Sequence, residues 1–504
     1  MLVTMTEYFW GSKAKVRYLM IAAIFLFFTF LGGREIWTQE HRWADIVAGM
    51  FFRGDFLHPY LGKINYYDKP LLSYWLIAFV AKLNQELTIW SLRFPSAMAG
   101  LLALWAIYRL GAKLKNKQLG LLSGWLLLTT FYFLFWVRTS SADMLNLAGT
   151  LLAISWYYEK REQAQFTDYA IFFFILALTS LCKGLVGAIV PLIAVVVDIY
   201  LNRSWKQHLR LPLLLALMPA MIIYLAPFYA SAYFNSATYG ENGLYLVYRE
   251  NILRYFKPFD HQGSIYTYFI YLPVYLLPCT ILFIPAVFSL KSRWQRMQIH
   301  SRWIALTLLA LFIFFSLSGS RRSYYVLPMV PFAILLTADW ILSGTFSKRH
   351  VITSALLLFS FTVLYIGVDL VPQWYYNRFG AERFAASLKV EASKIQPWEK
   401  WNVVSLDAAS KLNFYLHLPP SVIRYHIKGD KRYLVQTQAD LLKCWPILKS
   451  INNNTNTIYI TRKSYVPLLE SFLTDYRKFE VDYPDIAYLR KPDEDIPVAF
   501  IPRQ

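Results

Sequence analysis

The chain has 504 residues, of which 57% are hydrophobic and 18% are aromatic, and it carries a formal net charge of +20. A soluble globular protein is rarely so apolar, because its surface has to be covered with polar groups. The charge does not indicate a nucleic-acid partner, since Lys and Arg occur in short clusters between apolar runs, as membrane topology and phosphate binding require. The cysteines lack the spacing of a disulfide framework or zinc site and are expected to be packing residues: Cys182, Cys279 and Cys444.

Apolar runs close to the length that crosses a bilayer, about 20 residues, recur from the N-terminus to residue 370. We interpret the first as an uncleaved span, because Leu31-Gly32-Gly33 is a poor signal-peptidase site. The segment 70–83 is too short to span comfortably and is expected to be re-entrant or to lie along the interface. The sequence therefore predicts an all-α membrane domain, residues 1–370, with about 11 or more spans: 16–32, 94–112, 119–137, 141–158, 168–182, 184–201, 211–230, 265–290, 303–319, 324–343 and 351–370.

Basic connections predict how these spans are oriented. The positively charged connections 109–117, 203–210, 291–302 and 348–349 all lie inside if the N-terminus is cytoplasmic, as the positive-inside rule requires. The polar stretches then emerge on the outer face: 33–69, 137–143, 231–264 and 319–323. We expect the catalytic loops, 33–93 and 231–264, to lie on that face.

The composition changes at about residue 371. Alternating apolar stretches at 401–406 and 457–460 predict strands, and the patterns at 378–394 and 464–475 predict helices. Residues 371–504 are therefore expected to form a soluble α/β domain on the outer side.

The first outer loop predicts an amphipathic helix lying on the membrane surface. Thr38 is a plausible N-cap, and Trp43 and Met50 follow at helical spacing. Glu40 and Arg42 fall in the first turn of this helix, where ordinary interfacial charges would also be expected.

Further ionisable residues lie at the predicted outer ends of spans. Asp68 and Lys69 precede a Pro-opened helix, Asp143 starts a span, and Lys183 precedes Gly184 in the next outer turn. An aromatic belt with a snorkelling lysine, or an acid placed at a helix N-terminus, explains some of them. Ionisable groups within a membrane are nevertheless functional candidates.

The later outer loops add more cations and a histidine. The second long loop carries Glu250, Arg254 and His261, and the last outer turn runs from Ser320 to Tyr325. Taken alone, the arginines of that turn could be positive charge placed against the topology rule. Their convergence with three other cations predicts a phosphate-binding cluster: Arg42, Lys69, Lys183, Arg321 and Arg322.

The order of these motifs resembles the aminoarabinose (lipid A) transferases and the wider protein-mannosyltransferase-like group of C-type (GT-C) membrane glycosyltransferases. The Asp-Glu-x-Arg-Tyr of that family is matched by Gln39–Trp43, and its Phe-Glu-Lys-Pro by Tyr67–Pro70. An Asp, a Lys-Gly and a basic turn ending in Tyr also match, over residues 15–345. The sequence departs from the family at two positions, where Gln39 replaces an Asp and Asp68 replaces a Glu.

The resemblance implies a GT-C fold and an inverting hexosyl- or pentosyltransferase on the periplasmic face of the bacterial inner membrane. The donor would be a polyprenyl-phosphate sugar, and the acceptor an envelope molecule, most simply lipid A. An acceptor phosphate is already ionised and needs little help from a base, so the loss of an acid at Gln39 favours lipid A. The resemblance assigns Glu40 and Asp143 as candidate bases, and Asp68 and His261 as ligands of a divalent metal (zinc, magnesium or manganese), if one is bound. It assigns six residues to the donor phosphate: Arg42, Lys69, Lys183, Arg254, Arg321 and Tyr325.

Other functions remain open from the sequence. The same fold could transfer the sugar to a protein or to another envelope glycan. A transporter of lipid-linked sugar is a further alternative, although repeated halves and midplane helix breaks are not evident. Gln39 also leaves open an inactive homologue.

Overall fold

A computed structural model describes most of the chain, and its contacts divide the protein into two compact units. The first unit comprises Met1–Leu31, Phe56–Pro59 and Asn65–Asp369, and the second comprises Gly32–Asp55, Tyr60–Ile64 and Leu370–Gln504. The domain boundary at residue 371 stays a prediction, and part of the first outer loop groups with the C-terminal unit. The described residues are 2–37, 39–61, 64–66, 69–234, 248–259, 261–343, 348–372, 374–375, 380–419, 422–427, 435–453, 456–482 and 496–503.

Helices build the first unit. The Ser323–Met329 segment is a 3-10 turn, and Tyr248–Leu253 is a π-helical turn. The α-helices are α1 (Leu2–Phe9), α2 (Val16–Phe28), α4 (Leu72–Leu83), α5 (Ile89–Leu114), α6 (Lys117–Leu128), α7 (Phe131–Val137), α8 (Ala142–Lys160), α9 (Phe166–Lys183), α10 (Val186–Asn202), α11 (Trp205–His208), α12 (Leu211–Phe234), α13 (Arg254–Phe256), α14 (Thr267–Tyr275), α15 (Thr280–Phe288), α16 (Leu290–Arg293), α17 (Ile299–Leu317), α18 (Val330–Leu342) and α19 (Lys348–Tyr365).

Several of these helices have the length and composition of membrane spans. Among the described residues, five helical segments are long and apolar enough, and the α6–α7 pair, bent by 73°, is a sixth candidate. The predicted helical membrane bundle is confirmed, whereas the span count of about eleven stays a prediction. The five segments are Ile89–Leu114, Phe166–Lys183, Leu211–Phe234, Ile299–Leu317 and Ser323–Leu342.

Two predicted spans are broken in the structure. The predicted span 265–290 consists of α14 and α15, and Pro278 lies between them. Proline lacks the backbone N–H, so Pro278 cannot donate the helical hydrogen bond to the preceding turn. The predicted span 119–137 breaks between α6 and α7, where the Thr129 hydroxyl donates back to the Trp125 carbonyl at 2.9 Å.

Glycines allow α5 and α6 to pack closely. A Cβ built on Gly111 would lie 2.7 Å from the Gly120 Cα, and one on Gly120 would lie 2.2 Å from the Tyr108 carbonyl oxygen. Small residues at helix crossings are characteristic of membrane bundles, where close packing replaces a hydrophobic driving force. By contrast, most apolar side chains of α12 are exposed, as expected of a helix facing lipid.

The second unit contains a five-stranded sheet with helices beside it. From one edge to the other, the strands are β4 (Ile423–Tyr425), β3 (Asn402–Leu406), β5 (Thr457–Arg462), β7 (Pro497–Pro502) and β6 (Tyr476–Phe479). Strand β3 is parallel to β4 and β5, and β7 is antiparallel to β5 and β6. A separate two-stranded sheet pairs β1 (Tyr60–Leu61) with β2 (Ile64–Asn65). The other elements are α3 (Glu40–Arg53), α20 (Ala381–Ser393), α21 (Lys411–Tyr415), α22 (Gln438–Cys444) and α23 (Val466–Leu469).

The structure confirms the two predicted strands and corrects two predicted helices. The apolar face of α3, including Ala44, Val47 and Met50, is buried by protein, so this helix does not lay that face on the membrane surface. The predicted helix 464–475 is wrong beyond Leu469, because the chain turns there toward β6, which begins at Tyr476. The predicted N-cap Thr38 lies outside the described residues.

Candidate active site

A buried ion pair joins two helix ends in the first unit. Asp143 lies in the first turn of α8, and Lys183 is the last residue of α9. The Lys183 ammonium donates to the Asp143 carboxylate at 2.5 Å, and each side chain is only 10% exposed. Two charges are taken out of water at a large cost unless they are paired, so each side chain holds the other in place.

Aromatic rings surround the lysine of this pair. The Lys183 Nζ lies 5.2 Å from the Tyr325 ring centroid and 6.0 Å from that of Tyr324. Trp136 packs against Tyr324 with 5.2 Å between ring centroids. The rings stabilise the ammonium by cation–π attraction and restrict its access to water.

Arg138 supports the loop that carries Asp143. Its Nη1 donates to the carbonyls of Leu26 and Thr29, each at 2.7 Å, and its Nη2 donates to that of Phe30 at 2.9 Å. These carbonyls belong to the C-terminal end of α2, where helix carbonyls lack intrahelical partners. Arg138 thereby fixes the loop before α8 to the end of α2.

A second ion pair lies in the π-helical turn before α13. Arg254 Nη1 donates to the Glu250 carboxylate at 2.8 Å, and Arg254 Nε donates to the Ser320 hydroxyl at 3.3 Å. Arg249 contacts the other oxygen of Glu250 at 3.2 Å. The predicted donor ligand Arg254 is therefore joined directly to the last outer turn.

The arginines of the last outer turn bind carbonyls and a histidine. Arg321 Nε donates to the Ser316 carbonyl at 3.1 Å, and its Nη1 donates to the Gly263 carbonyl at 2.5 Å. Arg322 Nη2 lies 3.0 Å from His261 Nδ1. Arg321 thus anchors the 261–263 segment in the structure, and its role at a donor phosphate stays a prediction.

The start of α4 is attached to the same part of the first unit. The Ser73 hydroxyl donates to the Cys182 carbonyl at 2.6 Å, one residue before Lys183. The half-buried Lys69 lies one turn earlier in the chain than Ser73. The Ser73 hydrogen bond therefore joins the start of α4, near Lys69, to the end of α9 that carries Lys183. The Tyr325 ring brings the last outer turn, to which Arg254 is also bonded, beside the same lysine.

Glu40 and Arg42 belong to the second unit. Glu40 is fully buried; its carboxylate accepts from the Trp37 backbone N–H at 2.8 Å and lies 3.5 Å from Arg34. Arg42 is exposed on α3. The surroundings of Glu40 favour a structural role at the start of α3 over that of a base, and its catalytic assignment stays a prediction.

Comparisons with known proteins agree with this architecture. The family model described as dolichyl-phosphate-mannose-protein mannosyltransferase matches residues 68–230. An undecaprenyl phosphate-alpha-4-amino-4-deoxy-L-arabinose arabinosyl transferase of Shewanella sediminis is 25% identical, over 88% of this chain and 78% of that protein. A protein of the same name from Aeromonas hydrophila is 24% identical, over 93% and 89%. The crystal structure of ArnT from Cupriavidus metallidurans bound to undecaprenyl phosphate aligns with a TM-score of 0.72 and 16% identity, over 96% of this chain and 97% of that one.

These matches support an aminoarabinose-transferase-like family of GT-C membrane glycosyltransferases. The GT-C fold predicted from the sequence is confirmed. The matches support a glycosyltransferase over a transporter.

The family resemblance implies a divalent-metal site that includes His261 and Asp68. Among the described residues, no group of three His, Cys, Asp or Glu side chains could hold a metal ion. His261 instead has both ring nitrogens beside the guanidinium of Arg322. Asp68 lies outside the described residues, so its pairing with His261 stays a prediction, and we derive no step of the reaction through a metal.

Sequence reasoning missed buried contacts in each of the two units. Arg138 was visible as a cation in an outer loop, but its carbonyl partners lie more than 100 residues away in the chain. Asp45 pairs with Arg424 at 2.8 Å within the second unit, and burial raises the pKa of that carboxyl despite the nearby guanidinium. Neither contact has a local sequence signal, because both depend on tertiary packing.

Proposed function

We propose that this glycosyltransferase moves a sugar from a polyprenyl-phosphate donor to lipid A, with inversion at the anomeric carbon. Two relatives are named as arabinosyl transferases of an undecaprenyl-phosphate-linked aminoarabinose, and the similar ArnT structure contains undecaprenyl phosphate. The observation that carries the proposal is the buried Asp143–Lys183 pair beneath Tyr324 and Tyr325. An enclosed ammonium with N–H groups to spare is suited to a phosphate leaving group.

We place the site and the C-terminal unit on the periplasmic face of the bacterial inner membrane. The support is the sequence, in which all four basic connections lie inside when the N-terminus is cytoplasmic. Asp143 and Lys183 then lie at the outer ends of α8 and α9, where a lipid-linked phosphate at the membrane boundary can reach them.

The cations act on the leaving group. An acceptor oxygen attacks the anomeric carbon from the side opposite the phosphate, and the bond between that carbon and the phosphate oxygen breaks. Negative charge then grows on the polyprenyl phosphate, and Lys183, Lys69 and Arg254 stabilise it in a site with little water. The Lys183 ammonium has three donors, and among the described residues Asp143 uses one, so two are left there for phosphate oxygens.

Asp143 has a role that depends on the acceptor. A phosphate acceptor is ionised near neutral pH, so Asp143 would only hold Lys183 in place. A hydroxyl acceptor must lose a proton during attack, and Asp143 would then accept it as a general base. The replacement of the family Asp by Gln39 supports the phosphate acceptor.

Transfer to a protein hydroxyl is the second candidate. The matching family model carries the description of a protein mannosyltransferase, and it spans Asp143 and Lys183. This candidate requires a base, and an inactive homologue requires none, so variants of Asp143 separate the possibilities.

The test is deletion of the gene in the native host, followed by mass spectrometry of lipid A. The deletion strain is complemented with the wild type, with Asp143→Asn and with Lys160→Ala as a matched control. Lys160 lies at the other end of α8, is largely exposed and is 4.0 Å from Asp168. We expect loss of a pentose- or hexose-sized mass on deletion, full restoration by the wild type and the control, and partial restoration by Asp143→Asn.

Each other outcome selects a different function. Loss of nearly all transfer in Asp143→Asn, on the order of 10²–10⁴-fold, would indicate a base and a hydroxyl acceptor. Lipid A that is unchanged on deletion would exclude it as the acceptor and direct the search to glycoproteins. Unchanged envelope glycans throughout would support an inactive homologue.

A further inference from the structure

The turn after Lys183 is a junction between two helices. Lys183 ends α9, Val186 begins α10, and Gly184 between them has a φ of 110°, which side chains rarely allow. The first N–H groups of a helix lack intrahelical partners. Leu185 is the N-cap residue of α10, and its apolar side chain forms no capping hydrogen bond.

Asn251 supplies the missing cap from another part of the chain. Its Oδ1 accepts from the Leu185 backbone N–H at 2.7 Å, across 66 residues of sequence. The same oxygen would lie 2.5 Å from a Cβ built on Gly184, so glycine is required there for close approach as well as for φ. The amide of Asn251 therefore rests directly on the Lys183-Gly184-Leu185 turn.

Asn251 lies in the π-helical turn Tyr248–Leu253, a rare conformation that is frequent at functional sites. Its neighbour Glu250 pairs with Arg254. Beyond them, the Tyr255 carbonyl accepts from the Gly319 N–H at 2.7 Å, and Arg254 donates to Ser320. The segment 248–256 is thus attached to the Lys183 turn at one end and to the last outer turn at the other.

We infer that Asn251 is a positioning residue that holds the Lys183 turn in register with Arg254, so that one donor phosphate meets both cations. This inference rests on the proposed function, because it assumes that the phosphate binds at Lys183. Small displacements of binding groups have large effects when several must act on one ligand at once. Asn251 therefore acts through Lys183 and does not itself need to touch the donor.

The experiment measures binding of undecaprenyl phosphate to the purified full-length protein in detergent. Asn251→Leu keeps the size of the side chain and removes the acceptor, whereas Asn251→Asp keeps an acceptor oxygen at the same position. We expect Asn251→Leu to weaken binding on the order of tenfold, which is the effect of about one misplaced charge-assisted contact. Asn251→Asp should bind within about threefold of wild type, with its oxygen again capping Leu185.

A control variant and a double-mutant cycle distinguish a positioning role of Asn251 from an effect on folding. Ile252 is 44% exposed, and Ile252→Ala should bind like wild type. All variants are compared by thermal unfolding, so that a misfolded variant is recognised. The double variant Lys183→Ala/Asn251→Leu should bind no more weakly than Lys183→Ala alone, because Asn251 acts only through Lys183.

Two kinds of failure have different meanings. The inference would be overturned, and the proposed function left intact, if the losses in the double variant were additive. The same would follow if Asn251→Leu bound like wild type while Lys183→Ala bound weakly. Wild-type binding by Lys183→Ala would instead overturn the phosphate site itself, and the role of Asn251 with it.

Discussion

The two ends of α8 carry buried ion pairs that differ in how many hydrogen bonds they already make. At its C-terminal end, Asp198 of α10 accepts from Tyr157 at 2.9 Å, from Tyr158 at 2.8 Å and from Asn202 at 2.9 Å, and it also binds Arg161. At its N-terminal end, Lys183 is the one side chain that donates to Asp143 among the described residues. The Asp198 carboxylate already accepts hydrogen bonds from four side chains, whereas the Asp143 carboxylate can accept more.

The difference separates a structural pair from a pair that can receive a ligand. A saturated buried carboxylate fixes helix positions, because breaking any contact leaves a charge without compensation. At the other end, the Lys183 ammonium keeps N–H groups that a phosphate can use without first displacing several protein contacts. The same kind of ion pair therefore serves packing at one end of α8 and, we propose, chemistry at the other.

The largest effect in this comparison is expected from removing the saturated carboxylate. Asp198→Ala leaves Arg161 and two tyrosine hydroxyls without their acceptor, so we expect a loss of about 3–5 kcal/mol in the free energy of unfolding. Thermal unfolding of the purified protein measures it, with transfer activity per folded molecule close to wild type. A variant that folds normally but fails in transfer would contradict the division between the two ends.

Lys183→Ala should give the opposite result. We expect transfer to fall on the order of 10²–10³-fold, because one preorganised donor to the developing negative charge is lost. Stability should change less than in Asp198→Ala, since Lys183→Ala breaks one hydrogen bond whereas Asp198→Ala removes the acceptor of several side chains. Transfer is measured in membranes with lipid A as acceptor, and Lys160→Ala again serves as the matched control. Retained activity in Lys183→Ala would mean that the ion pair at the N-terminal end of α8 does not bind the donor phosphate.

The sequence predicted much of the fold and the kinds of residue in the site. Apolar runs located the membrane helices, and alternation located β3 and β5, because burial is periodic in both. The order of motifs led to the GT-C family, which the comparisons support, and to the GT-C fold, which they confirm. Asp143 and Lys183 were singled out individually, since charge at a membrane boundary has few structural explanations.

Pairing could not be predicted from the sequence. Nothing local indicates that Arg138 caps α2 or that Asn251 caps α10, because each contact joins distant segments brought together by packing. The contact of Glu40 with the Trp37 N–H is local, but the burial of Glu40 depends on packing. The helix breaks were missed for another reason. Hydropathy counts apolar residues across 265–290 and is blind to the backbone hydrogen bond that Pro278 cannot make.

The smallest effect in the comparison is expected at Glu391 in the second unit, whose side chain is 18% exposed and whose partner Lys394 is 65% exposed. Hydrogen bonds from Lys394 and Arg477 lower the pKa of Glu391 below its ordinary value of 4.5. A lowered pKa in the folded state means that the ionised carboxylate stabilises the fold above the unfolded pKa, and that this stabilisation is lost as the pH falls through the folded pKa.

Glu391→Gln should therefore leave the melting temperature nearly unchanged near neutral pH, since exposed pairs contribute little. It should slightly flatten the decline of the melting temperature at pH values below 4.5. The melting temperature of the full chain across this pH range measures the difference. A loss of stability at neutral pH as large as that of Asp198→Ala would mean that the contribution of an ion pair to stability does not follow its exposure.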